Sequence, residues 1–331
     1  MLHDRYSIWR LKCYGQGLFE LEEYPLGVNY IAIGSIIIDN IVLSDGQTQI
    51  EVLGGGALHA ASGMRVWADS VGLISAIGSD FPPHFRSCLG KVFDLHNVAT
   101  HDLPTPRALQ VFDTANNRTE QFLTDWAEFI QFFDPHPSSI GNVENIPSGV
   151  FLLGGQPNTL HTWITYLRTW GNSIILWEPW DIFMQPESLK VFCEIAPLVD
   201  IFSPNLLEAR RLTGEKTPDA VVRALLAYGA RVIALRMGEQ GSLIACDAEL
   251  IHVPALSFGP IVDVTGAGNS YGGGFIVGLV ESNGNLQQAG LYGAVAASFA
   301  LEQVGVFLGD FARSKARRRY LMAKKSSTIE T

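Results

Sequence analysis

The sequence predicts an α/β protein with a mostly parallel sheet covered on both faces by helices. Three observations point there. From residue 149 onward, short apolar strands alternate with helical segments, the pattern of a parallel sheet wrapped by its crossovers. Two β-rich stretches in the first half each carry a turn and read as hairpins. Late in the chain, DVTGAGNSYGGGF at 263–275 reads as a glycine turn opening into a helix. With 331 residues, 47% of them hydrophobic and 17% charged, the chain can bury a large core. We expect one large unit with small insertions.

The elements follow in order. Residues 1–28 are a weakly patterned leader, and NYIAIG at 29–34 is the first clear strand. The turn at Ser44–Gly46 lies between two β-rich runs and suggests a small flap over about 35–52. In 57–68, Ala57, Ala60, Ala61, Met64 and Ala68 share one helical face. VGLISA at 71–76 is a buried strand, whereas 81–107 reads as helix and loop broken by prolines. Residues 107–123 form the second hairpin, and the aromatic, proline-rich 125–148 reads as irregular. Beyond 149 come strands at GVFLL, SIILW, LVDIF and RVIALR, then a peripheral pair, SLIAC and ELIHV. Among the helices, 157–170 turns Leu160, Trp163, Ile164 and Leu167 inward, another ends at Gly214, and Thr217 with Pro218 caps the next. Further helices start near 268 and span 286–303. No internal repeat is visible.

The net charge of −10 argues against a general nucleic-acid or membrane-surface binder. One segment opposes it: Arg313, Lys315, Arg317, Arg318, Arg319, Lys324 and Lys325 make 311–331 a basic tail, expected to be solvated. Cys13, Cys88, Cys193 and Cys246 lie far apart, so buried, reduced thiols in a cytoplasmic protein are expected, without a zinc site. The first residues lack the apolar core of a signal peptide, and no apolar run is long enough to span a membrane.

In the glycine turn, Gly266, Ala267 and Gly268 leave the backbone unshielded at a helix start, where converging N–H groups and the dipole suit a phosphate. A tight strand-to-helix turn built only for packing is the alternative. Gly272, Gly273 and Gly274 inside the helix each cost about 1 kcal/mol relative to alanine, so something must approach their backbone closely, a ligand or another element. There is no GxxxxGK[ST] motif. A dinucleotide fingerprint is also disfavoured, because Tyr271 stands where its last glycine belongs.

Six blocks in register give the chain a resemblance to the PfkB carbohydrate kinases, the ribokinase-like group, over about 29–308. They are GSIIIDNIV at 34–42, GGGALHAASG at 54–63, AIGSD at 76–80, SPNLLEARRLTG at 203–214, LRMGEQGSLI at 235–244 and the glycine turn itself. The resemblance implies a ribokinase-like three-layer α/β/α fold with a β lid formed by both hairpins. It also implies transfer of the ATP γ-phosphate to a hydroxyl of a sugar, nucleoside or similar small alcohol, with Mg²⁺ and a monovalent cation (K⁺). A homodimer through the lid occurs among relatives.

Site residues follow from the same blocks. Asp39, Gly54, Gly55 and His59 are expected at the substrate, and Gly266, Ala267 and Gly268 at the transferring phosphoryl group. Asn205, Glu208, Arg236, Gly238, Gly241 and Gly293 are expected around the nucleotide, with Gly305 shaping a nucleotide loop. Glu208 would hold Mg²⁺ through water, and Asp263 and Thr265 would place the monovalent cation. Asn205 and Glu208 read equally as a helix cap followed by a surface glutamate.

The sequence departs from the family at Asn269, which stands at the position of the catalytic aspartate. An amide can orient a hydroxyl but has no useful basicity, and losing a general base typically costs about 10²–10⁴ in rate. His59, Arg236 and Gly293 also replace other residues of the pattern, as does Gly155 or Gln156. Asp39, His59, Asp263 and Glu178 are the other candidate bases, Glu178 because it ends a strand on the catalytic edge of the sheet. The leading expectation is a kinase of altered or weak activity. A relative that only binds nucleotide or sugar is the alternative, and a dinucleotide-binding enzyme is a distant third.

Overall fold

The structure, a computed structural model, describes residues 30–113, 118–133, 137, 146–154, 156–309, 311 and 313–327; the expected leader lies outside them. The chain begins with β1 (Tyr30–Ile33), in which every residue is buried. Next come β2 (Ile37–Val42), β3 (Thr48–Gly54), α1 (Gly56–Arg65), β4 (Val71–Gly78), α2 (Pro83–Gly90) and β5 (Asp94–His101). Then follow β6 (Arg107–Phe112), β7 (Arg118–Phe122), α3 (Trp126–Phe133), β8 (Gly149–Leu153), α4 (Pro157–Arg168), β9 (Ile174–Glu178) and α5 (Leu189–Ile195). Next are β10 (Ile201–Phe202), α6 (Leu206–Thr213), α7 (Pro218–Ala227), β11 (Val232–Arg236), β12 (Ser242–Ala245) and β13 (Leu250–Val253). The chain closes with α8 (Ala267–Glu281), α9 (Leu286–Ala300) and α10 (Arg313–Ser327).

A nine-stranded sheet runs β13-β12-β11-β10-β9-β8-β1-β4-β5, parallel except for the β12 and β13 edge, the expected peripheral pair. Strand alternation sorts its side chains into two layers. Tyr30 and Ala32 of β1 join a core with α1, α8 and α9, whereas Ile31 and Ile33 join a second core with α4 to α7. The sheet is therefore buried on both faces, as its apolar strands require. A separate four-stranded sheet, β3-β2-β6-β7, forms the lid from the two expected hairpins.

The α8 glycines make room for neighbouring elements. A Cβ on Gly273 would come within 2.0 Å of the Ala60 carbonyl of α1, and one on Gly274 within 2.6 Å of Ala296 in α9. Gly63 of α1 answers from the other side, where a Cβ would lie 2.1 Å from the Ser270 carbonyl. Backbone-to-backbone packing of α1 on α8 fixes the first turns of α8 against α1.

Four expectations need correction. Residues 81–107 include the strand β5, which carries charged and exposed side chains because it is the sheet edge. Residues 126–133 are helical, with Phe129 and Phe132 buried against the lid and sheet. The basic segment is a docked helix in which Arg319 is only 5% exposed. Its guanidinium donates to both carboxylate oxygens of Glu302 and to Ser298 Oγ, and it stacks over Phe299. Cys88 and Cys193 are exposed, and among the described cysteines only Cys246 is buried.

Candidate active site

The site sits where parallel strands end and the strand order reverses around β1, the crevice in which open α/β sheets bind ligands. A cavity of about 780 Å³ opens there. One wall comes from the ends of β9 and β11, the start of α6 and the start of α8. The facing wall comes from the lid and α3. Asp39, Gly55, His59, Asn205, Glu208, Arg236, Thr265, Gly266, Gly268 and Asn269 all line it.

The start of α8 is open. Its N-cap, Gly266, has φ +72° and supplies no side-chain cap, so the first-turn N–H groups lack intrahelical acceptors. A Cβ at Gly266 would lie 2.1 Å from the His59 ring, and one at Gly268 would lie 2.0 Å from Arg236 Nη1. Glycine thus lets the imidazole and the guanidinium close over the helix end. The start of α6 is closed instead: Asn205 Oδ1 accepts the Glu208 N–H at 2.8 Å, and Glu208 Oε2 accepts the Asn205 N–H at 2.8 Å. Glu208 is thus part of a cap, as one reading of the motif required, but it is buried on the cavity wall and not a surface residue.

Glu178, the last residue of β9, joins the two helix starts. Its Oε1 accepts Asn269 Nδ2 at 2.8 Å and pairs with Arg236 Nη2 at 2.9 Å. Arg236 is held in turn by the Ser203 carbonyl at 3.0 Å. Among the described residues, Glu178 Oε2 and Arg236 Nε are buried without a hydrogen-bond partner. Burial pushes the Glu178 carboxyl up to about 7; the Arg236 guanidinium opposes the rise and the Glu208 carboxylate adds to it.

On the lid side, Asp39 of β2 is buried and accepts Gln110 Nε2 at 3.2 Å, while the same nitrogen donates to Glu120 Oε1 at 2.6 Å. Gly54 does not line the cavity; a Cβ there would overlap Asp39 Oδ2, so this glycine makes room for the aspartate. Beside them stand Phe122, Trp126, Phe129 and Trp180. Trp126 stacks on Phe129 with centroids 5.1 Å apart, and Trp180 meets Trp126 edge-on at 5.7 Å. This aromatic wall went unread in the sequence because α3 was taken as irregular. The only signal was the density of aromatic residues in 122–133.

The remaining expected positions lie outside the cavity lining. Ala267 is the first residue of α8. Gly238 and Gly241, both at positive φ, turn the chain between β11 and β12, and a Cβ at Gly241 would meet the Val253 carbonyl at 2.1 Å. Gly293 of α9 packs on the Tyr271 ring. Asp263 lies buried beneath the turn, accepting the Thr265 N–H at 2.8 Å and the Gly305 N–H at 3.4 Å. Gly155 lies outside the described residues.

Comparison with known proteins agrees with this architecture. The family model for pfkB family carbohydrate kinases matches residues 29–309. A cytidine kinase of Thermococcus kodakarensis is 26% identical over 76% of this chain and 88% of its own. The crystal structure of a Methanocaldococcus jannaschii nucleoside kinase superposes with a TM-score of 0.69 at 22% identity, covering 89% of this chain and 99% of that one. Arabidopsis thaliana ribokinase complexed with ribose and ATP superposes at 0.69 and 18% identity, covering 89% and 99%. No helix among the described residues is long and apolar enough to cross a membrane. The chain belongs to the pfkB carbohydrate kinase family.

Proposed function

We propose that the protein is an ATP-dependent kinase whose acceptor is a nucleoside. The observation that carries this is the pairing inside one cavity of an open helix start, flanked by Arg236, with a buried carboxylate and an aromatic wall opposite. The first suits phosphate. Asp39 suits the hydroxyls of a sugar, and Trp126 with Phe122, Phe129 and Trp180 suits the flat face of a base. The cytidine kinase and nucleoside kinase among the relatives support the same choice over a free sugar.

The residues present fit a nucleotide with Mg²⁺. Gly266, Gly268 and Arg236 would hold the phosphates, and Glu208 would meet the metal through water, since Mg²⁺ keeps much of its hydration. Bound there, the metal would neutralise phosphate charge. Buried Thr265 Oγ1, which has no hydrogen-bond partner among the described residues, and the Asp263 carboxylate are the atoms we assign to K⁺. With an acceptor bound, the cavity walls would shield the reacting hydroxyl from water, and α8 and Arg236 are already arranged before any charge develops, which is how most phosphoryl-transfer catalysis is achieved. The open edges of the lid, β3 with exposed Ile50 and β7, are where a second copy would join. We place the enzyme in the cytoplasm, where ATP is supplied.

The test is ADP release with Mg-ATP across cytidine, uridine, adenosine, guanosine, inosine, ribose and fructose. Nucleoside-dependent release with matching nucleoside monophosphate is expected. Release with the free sugars alone would overturn the nucleoside assignment, and release with none would overturn the kinase reading.

A further inference from the structure

We propose that Glu178 is the catalytic base, and that Asn269 positions both this carboxylate and the attacking hydroxyl. The proposal rests on the kinase reading above. Asn269 sits on the first turn of α8, at the phosphate end of the cavity, and an amide there cannot accept a proton at useful pH. Its Nδ2 is 2.8 Å from Glu178 Oε1, so a carboxylate lies one hydrogen bond from the point where the hydroxyl must be held. The amide donates to the carboxylate through Nδ2; its Oδ1 can hold the hydroxyl on approach, and the single hydroxyl proton then turns to the Glu178 carboxylate for transfer.

The other carboxylates near the cavity are committed elsewhere. Asp39 and Glu120 accept Gln110 on the lid side, and Glu208 closes the α6 cap. Asp263 accepts two backbone N–H groups beneath the turn, and the exposed Asp181 pairs with Arg211. Glu178 differs in having one oxygen, Oε2, buried with no hydrogen-bond partner among the described residues. Phe151 walls the same space: a Cβ at Gly272 would lie 2.8 Å from its ring and 3.7 Å from Oε2. An orphaned buried carboxylate oxygen costs the fold free energy, and such groups are kept where chemistry needs them. The charged groups acting on Glu178 are Arg236 of β11 and Glu208 of α6, both on the same cavity. Arg236 keeps the carboxylate oriented while burial keeps it basic.

The step balances as follows. The acceptor O–H bond breaks and its proton passes to the Glu178 carboxylate. The acceptor oxygen forms the new bond to the γ-phosphorus while the bond from that phosphorus to the nucleoside diphosphate breaks, its electron pair leaving on the diphosphate. The proton then returns to solvent when product departs.

The experiment compares wild type, E178Q and the double variant E178Q/N269D, using Mg-ATP and the nucleoside that wild type turns over best. Glutamine keeps an acceptor for Arg236 and Asn269 but removes the base. Expected is a fall in kcat of about 10²–10⁴-fold in E178Q, with calorimetric Mg-ATP affinity within twofold of wild type, and at least tenfold recovery in the double variant. An E178Q kcat within threefold of wild type overturns the proposal. A loss that N269D does not restore also overturns it, assigning Glu178 to positioning. If E178Q does not fold, the wild-type kcat–pH profile decides: a rise through about 7 supports the base, and a flat profile from pH 5.5 to 8.5 contradicts it. Wild type that binds Mg-ATP yet phosphorylates nothing overturns the kinase reading and the base assignment with it, and leaves only the nucleotide site standing. Absence of Mg-ATP binding contradicts the kinase reading itself.

Discussion

Helices α6 and α8 both begin on the same cavity, and their first turns are built in opposite ways. Asn205 and Glu208 satisfy the first turn of α6 reciprocally, leaving a closed, rigid end. At α8 a left-handed glycine replaces the cap, and side chains from other elements, His59 and Arg236, crowd over Gly266 and Gly268. A helix end whose donors are satisfied by its own sequence is a fixture. One left open, with a cation beside it, is prepared for an anion brought from outside. Two cavity glutamates differ likewise: one Glu208 oxygen is tied into the cap, whereas Glu178 retains a buried oxygen with no hydrogen-bond partner among the described residues.

The largest effect that tests this contrast is Gly266→Ala. It forces a Cβ onto φ +72° and into the His59 ring, so a loss of about 3 kcal/mol or more is expected, visible as a drop in melting temperature of about 6 °C or more. A change below 1 °C would show that the α8 start is not held as described. Next is Trp126→Ala, which removes the stacked ring from the lid side. Base–aromatic stacking is worth about 1–3 kcal/mol, so the nucleoside KM should rise about 10-fold or more with kcat little changed. An unchanged KM would move the acceptor away from the aromatic wall.

A pH series comes third. A base must be ionised to accept a proton, and burial raises the Glu178 carboxyl to about 7. The ionised fraction therefore falls as pH falls, and kcat should increase about tenfold between pH 6 and 8. The smallest effect is the capping control. Asn285 Oδ1 accepts the Gln288 N–H at the start of α9, away from the cavity. Asn285→Ala should cost about 1 kcal/mol in denaturant unfolding and leave kcat and KM within twofold. A kinetic effect as large as its stability effect would mean that helix capping alone governs the site.

Much of this contrast was legible in the sequence because it is local. Asn205 and Glu208 stand three apart, the capping-box spacing, and Gly266 and Gly268 announce an open turn. Strands buried on both faces, such as β1 and β8, declare themselves through unbroken apolar runs. What could not be read depends on contacts distant in sequence. Asn269 and Glu178 are 91 residues apart, so the sequence could name Glu178 as a candidate base but could not place its carboxylate within hydrogen-bond distance of the asparagine. Edge strand β5 lacks the apolar alternation that marks a half-buried strand, because its outer side has nothing to pack against. Helix α10 hid behind its charges: Arg319 is buried only because Glu302 and Phe299, on or beside α9, receive it.

The central claim is that the open start of α8 holds the nucleotide phosphates. Isothermal titration of Mg-ATP into wild type and Gly268→Asp tests it most directly. The substitution puts a carboxylate where Arg236 Nη1 now crowds the helix start, 2.0 Å from a built Cβ. Like charges brought together cost several kcal/mol, so saturable binding by wild type and a loss of about 100-fold or more in the variant are expected. Equal affinity in the two proteins, with both folded, would contradict the account.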